Sequence, residues 1–191
     1  MLGIDPFDQP NVEEAKQLTR DVLARAERGE ASTSSVPALR ADDPALPDRL
    51  REHLGRRRDA AYLCLQAFIA PTSTRDQAFA RIRARLRDGT RNATTAGYGP
   101  RFLHSTGQLH KGGPPTGWFL QLTSDHPDDR EIPGWPYTFG RLIDAQADGD
   151  HAAIAAHDLP ILRVHLGPSP DDGLAALERA IDAALATTTE D

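Results

Sequence analysis

Apolar positions recur at helical spacing near the start of the chain. Over residues 8–28, Val12, Ala15, Leu18, Val22, Leu23 and Ala26 share one face. Pro10 suits a first helical position, and Glu13 and Glu14 suit the positive end of the helix dipole. Gly29 supplies a stop. Residues 30–47, EASTSSVPALRADDPALP, carry few apolar anchors among Ser, Pro and Asp, and read as a linker or surface excursion. A short charged helix over about 47–58 follows.

The pattern then alternates. Residues 60–68 form an apolar run that reads as a buried strand, and TSTRDQAFARIRARLRDG reads as a helix. Thr72 to Thr74 offer its cap, and Phe79, Ile82 and Leu86 form its apolar face. GWFLQLTS (117–124) and ILRVHLG (161–167) are further strands. Between them, YTFGRLIDAQADG and DHAAIAAHD read as two helical pieces, Gly149 ending the first and Asp150 capping the second. The last helix, SPDDGLAALERAIDAALA, has Ser169 as cap, Pro170 at its first position and a stripe of Leu174, Leu177, Ile181 and Leu185. Strand alternating with helix predicts an α/β fold: a parallel sheet covered by helices on both faces, with ligands at the carboxyl ends of its strands. The expected divisions are 1–28, the linker with its charged helix at 29–58, and an α/β unit at 59–191.

Composition narrows the function. The chain has 191 residues, 39% apolar, with a formal charge of −6. That charge argues against a nucleic-acid partner, because phosphate backbones demand clustered excess cations. The arginines of LGRRRD and RIRARLRDGTR are interleaved with acids and read as solvated helix faces. The single cysteine, Cys64, rules out a disulfide framework within the chain and fits a reducing compartment. Its apolar setting predicts a buried, inert thiol. No apolar run approaches the ~20 residues of a membrane span and no signal peptide is visible, so the expectation is a soluble cytoplasmic protein with no membrane partner.

The chemistry concentrates in YGPRFLHSTGQLHKGGP (98–114). Backbone N–H groups of a glycine-rich turn can form anion-binding concavities. Ser105, Thr106 and Gln108 add neutral hydrogen-bonding groups, and Arg101 and Lys111 add positive charge. The mixture suits a phosphorylated, hydroxyl-rich ligand. GYGPRF is not a dinucleotide fingerprint, and no P-loop is present. His104 and His110 have no neighbouring Cys or carboxylate, so no metal is expected. The alternative is that the glycines simply shape a tight crossover, with His104 satisfied by backbone. Near the start, a turn runs straight into a helix that carries Lys16, which by itself reads as a solvated helical lysine.

GIDPFDQPNVEEAK, together with GYGPRFLHSTGQLHKGGPPTGWFLQLT, IPGWPYTFGRLIDAQADGD and LRVHL, resembles the C-terminal part of glucose-6-phosphate isomerases. The likeness is strongest to the bacterial form fused behind transaldolase. It spans most of the chain apart from 29–57 and the last twenty or so residues. It implies a sugar-isomerase α/β sandwich, incomplete relative to the full family fold, usually a homodimer and without a cofactor. It also implies interconversion of glucose 6-phosphate and fructose 6-phosphate through an enediol. The family's lysine lies in FDQPxVExxK, so Lys16 inherits a catalytic role in ring opening, and Gln9 would meet substrate hydroxyls. Arg101 lies in the same stretch as His104, Ser105, Thr106, Gln108, His110 and Lys111, which match the family pattern; substrate or intersubunit contact is the expectation for this set.

Asp5 stands where the family more often has Asn, and no glutamate matches the family's base. Glu13 and Glu14 belong to the lysine's own motif, and Glu131 precedes a Pro-rich turn. The expectation is therefore an enzyme portion, inactive without an upstream half, its partner being that isomerase half or transaldolase. The alternative is a non-catalytic module that binds a hexose 6-phosphate or a partner protein.

Overall fold

The computed structural model describes residues 10–28, 36–56 and 60–186. The turn expected before the first helix, with Gln9, and the stop at Gly29 lie outside them. The elements are α1 (Pro10–Glu27), β1 (Leu39–Arg40), α2 (Leu46–Gly55), β2 (Tyr62–Phe68), α3 (Ser73–Thr90), β3 (Ala93–Tyr98), α4 (Ser105–Gly112), β4 (Gly117–Thr123), α5 (Phe139–Ala156), β5 (Ile161–His165) and α6 (Pro170–Ala186). A 3-10 turn, Arg101–Leu103, precedes α4. The five strands form one parallel sheet in the order β1-β5-β4-β2-β3. The protein is an α/β fold with helices on both faces of a parallel sheet.

Side chains alternate along each strand, so the two faces separate cleanly. Leu63, Leu65, Trp118, Leu120, Leu122 and Val164 belong to a continuous apolar core shared with α2, α3 and α6. The opposite face lies under α4 and α5, with α1 packed on both. Its apolar contacts break into small clusters around Phe119, Ala15 and Phe68. Thr72 caps α3, its hydroxyl accepting the Arg75 N–H at 3.2 Å. Among the described residues, no helix is long and apolar enough to cross a membrane.

Several local expectations are corrected. Among the described residues the sheet has five strands, where three were expected: β3 is an edge strand of sequence ATTAGY, and the two-residue β1 arises inside the expected linker and pairs with β5. The expected glycine-shaped turn at 98–114 contains α4. The two helical pieces at 137–158 are one helix, α5. Gly149 does not end it. A Cβ there would sit 2.6 Å from Thr19 Oγ1 and 2.9 Å from the Ala15 carbonyl, so glycine lets α1 lie close against α5. Asp150 caps nothing; its side chain is wholly buried and ion-paired with Lys111.

Candidate functional site

A polar row crosses the middle of the sheet on the α4–α5 face. Gln66 of β2, Gln121 of β4 and Arg163 of β5 stand in register. Arg163 donates to Gln121 Oε1 at 2.7 Å and pairs with Asp148 of α5 at 2.5 Å. Gln121 in turn donates to the Ala147 carbonyl at 3.0 Å. From α4, the Lys111 ammonium pairs with Asp150 and donates to the Phe102 carbonyl at 3.3 Å. Burial pushes the Asp150 carboxyl above its ordinary 3.8, and the Lys111 ammonium opposes that rise. His110 lies among Phe102, Phe119 and Tyr62, with ring centroids 5.1 to 6.0 Å away. Burial, with the neighbouring Lys111 charge, lowers His110 to about 4, so its imidazole is neutral and Nδ1 accepts from the Gln66 amide at 3.4 Å. Two charges of each sign are thus enclosed and matched, as buried charges require.

The residues singled out in the sequence divide into three groups. His110 and Lys111 face the interior and are buried. Gln108 joins α4 to the start of α1: its amide nitrogen donates to Asn11 Oδ1 at 2.8 Å, and its oxygen accepts the Asn11 N–H at 3.1 Å. That N–H is one of the orphan donors of a helix start. Nearby, His157 at the end of α5 contacts Glu14 at 3.0 Å and Asn11 at 3.3 Å. Arg101 and Thr106 are exposed and, with the inner His110, line a hollow of 370 Å³ beside β3. His104 is exposed at the start of α4; the side chain of Ser105 lies outside the described residues. Lys16, with 35% of its side chain exposed, pairs with Glu13 at 2.5 Å and does not line that hollow.

The residues that sequence reasoning missed sit at the carboxyl ends of the strands. A cleft of 710 Å³ opens between the segments that follow β2, β4 and β5. A smaller hollow of 370 Å³ adjoins it and shares Ser124, Asp125 and His126. His165 contacts Thr123 Oγ1 and Asp125 Oδ1, each at 3.1 Å. His126 contacts Asp144 at 2.9 Å, and that hydrogen bond raises its pKa above 6.5. The signal was in the sequence: SDHPDD directly follows β4, and LGPSPDD directly follows β5, the places where a doubly wound sheet binds ligands. Among the described residues no three His, Cys, Asp or Glu side chains are grouped to hold a metal ion.

No protein-family model matches this chain, and no curated protein matches it. Among solved structures, a hypothetical protein from Thermus thermophilus is similar in fold, with a TM-score of 0.61 and 18% sequence identity. The likeness covers 93% of this chain and 44% of that one, so this chain spans under half the length of its structural neighbour. At that identity the comparison shows the fold alone.

Proposed function

We propose that the chain is the C-terminal portion of a glucose-6-phosphate isomerase, acting in the cytoplasm on hexose 6-phosphates. The observation that carries this reading is the reciprocal amide pair between Asn11 and Gln108, 97 residues apart. The two stretches that most resemble the isomerases, FDQPNVEEAK and HSTGQLHK, meet there. A helix bearing a partly exposed lysine is held against a helix bearing polar groups by contacts specific to those two motifs.

In this reading Lys16 is the group that touches substrate. Its ammonium donates a proton or hydrogen bond to the ring oxygen as the C1–O bond breaks, while the C1 hydroxyl loses its proton. Glu13, at 2.5 Å, pairs with that ammonium and orients it. Gln108 and Asn11 are positioning residues that fix the start of α1. The base that moves the proton between C2 and C1, and the cradle for the phosphate, come from an upstream isomerase half. Lys111 has no part in gripping phosphate, because its charge is committed to Asp150.

The test is a coupled assay, in which fructose 6-phosphate isomerisation is read as NADP reduction by glucose-6-phosphate dehydrogenase. The chain is mixed with a separately expressed N-terminal half of a glucose-6-phosphate isomerase. Turnover is expected only with both parts, and Lys16→Ala is expected to lower it by about 10²–10⁴-fold. No turnover from the pair, or turnover indifferent to Lys16, overturns the reading. Saturable fructose 6-phosphate binding without turnover would instead favour a non-catalytic binding module.

A further inference from the structure

The 710 Å³ cleft contains neither Lys16 nor any residue of 101–111, and the proposed isomerase chemistry leaves it unused. Its position is the one a doubly wound sheet reserves for ligands. The chain runs from β2 outward to β3, then crosses back to β4 on the other side of β2, so strand order reverses between β2 and β4. Phe68 at the end of β2, Ile69 to Pro71 beyond it, and Ser124 to Arg130 after β4 line the cleft. Its volume falls within the ~300–1,000 Å³ range of small-molecule sites.

Helix starts at such a place usually invite a phosphate. At the starts of α5 and α3 the protein's own side chains have taken donors of this kind. Asp129 Oδ1 accepts the N–H groups of Gly140, in the first turn of α5, at 2.7 Å and Arg130 at 2.8 Å. Thr138 accepts the Arg141 N–H at 3.1 Å, and Thr72 accepts that of Arg75 at 3.2 Å. The Arg75 guanidinium sets its fork on Asp171 at 3.1 and 3.2 Å and reaches the Ala70 carbonyl at 2.7 Å. An incoming phosphate would have to displace these groups, and it would face Asp125, Asp128, Asp129 and Asp171. A free cation fares little better against Arg75, Arg130, the His126 imidazole and the positive helix ends.

What remains on offer is a mixture of hydrogen-bond donors and acceptors over apolar walls. Ser124, Asp128 and Ser169 can accept, and Arg130 and the two serines can donate. Phe68, Ile69, Ile143 and Phe139 supply apolar surface, and Phe139 is 54% exposed. The same β4–α5 connection presents Trp135, 60% exposed, with its ring 5.5 Å from that of Tyr137. Hydroxyls both donate and accept, and a ring or chain of C–H groups packs on an aromatic face.

We infer that the cleft is a binding site for an uncharged, hydroxyl-rich small molecule, a polyol or unphosphorylated sugar, and that it excludes phosphate. The inference stands apart from the isomerase reading. The test is calorimetric and ligand-observed NMR titration of the whole chain with myo-inositol, D-glucose and inorganic phosphate. At least one of the two neutral compounds is expected to saturate, with an affinity on the order of 1 mM. Equal phosphate should leave that binding unchanged. Asp128→Asn and Phe139→Ala should each weaken it about tenfold, which is ~1.4 kcal/mol, while Lys16→Ala should not affect it. Asp128 lies on an exposed turn, so its variant tests the site even if Phe139→Ala perturbs folding. Failure of both neutral compounds to saturate by about 100 mM, far above millimolar affinity, overturns the inference. So does competition by phosphate, or binding indifferent to both cleft substitutions.

Discussion

Replacing Lys111 by Met tests the interior of the α4–α5 face directly. The Lys111 and Asp150 side chains are each 0% exposed, and Asp150 reaches inward from the middle of α5. Removing the ammonium leaves a buried carboxylate without its ion-pair partner, with Gln66 and the more distant charge of Arg163 still acting on it. Breaking a buried pair in this way costs about 3–5 kcal/mol, whereas replacing both partners by apolar residues is often near neutral. For a chain of this size, ~1 kcal/mol moves Tm by about 2–4 °C, so Lys111→Met should melt roughly 6–20 °C lower. Adding Asp150→Leu should restore most of that loss. Thermal melts and urea unfolding, both followed by circular dichroism, measure all three proteins. The pH dependence adds a second check. Burial already raises the Asp150 carboxyl above 3.8, and Lys111 is the first of the groups that oppose it, ahead of Gln66 and Arg163. Without Lys111 the folded carboxyl rises further and holds a proton that the unfolded chain has released. Stability of Lys111→Met therefore falls, relative to the parent, as pH rises from the ordinary carboxylate range through that folded value. The deficit should be larger at pH 8 than at pH 5. A single variant within about 1 kcal/mol of the parent, or a double variant weaker than the single, refutes the reasoning.

Three further outcomes are expected. Gly149→Ala places a Cβ 2.6 Å from Thr19 Oγ1 and should cost about 1–3 kcal/mol, outweighing the better helix propensity of Ala; hydrogen exchange should quicken along α1, and unchanged protection there would contradict the packing argument. Burial raises the Cys64 thiol to about 12, so the native protein should resist a thiol reagent at pH 8 and react fully in urea. Prompt labelling of the folded chain would be the contrary result. The Asp144 contact raises the His126 pKa, with Asp129 and Asp125 also facing the ring. The stability it contributes is fully present below 6.5 and is lost as pH rises through its higher folded value; in Asp144→Asn the NMR titration of His126 should move back towards 6.5, and an unmoved curve would reject the pairing.

The alternation of strand and helix was legible because β2, β4 and β5 are largely apolar runs, and α3 and α6 carry clean stripes. β3 was not, since an edge strand reading ATTAGY is half exposed and has no apolar face to announce it. In α5, tertiary packing overrode local propensity: Gly149 reads as a stop until α1 is laid against it. α4 hid for a related reason. Its inward residues are His110 and Lys111, and polar types used as interior look like a loop. The stretch 98–114 was recognisable as special, but its direction was not. The partners that turn Lys111 and His110 inward are Asp150 and Gln66, which no local spacing links to it. The strand-end cleft was in view as acidic turns, each of which taken singly reads as a helix cap.

The two sides of the sheet constrain inheritance differently. Under α2, α3 and α6 an aliphatic residue can be exchanged for another of similar bulk in graded steps, one position at a time. Beneath α4 and α5, Lys111 with Asp150 and Arg163 with Asp148 admit no such gradual route. Either member changed alone leaves its counterpart's buried charge without the opposite charge it pairs with, so descendants that lose one should be found to have lost or swapped both.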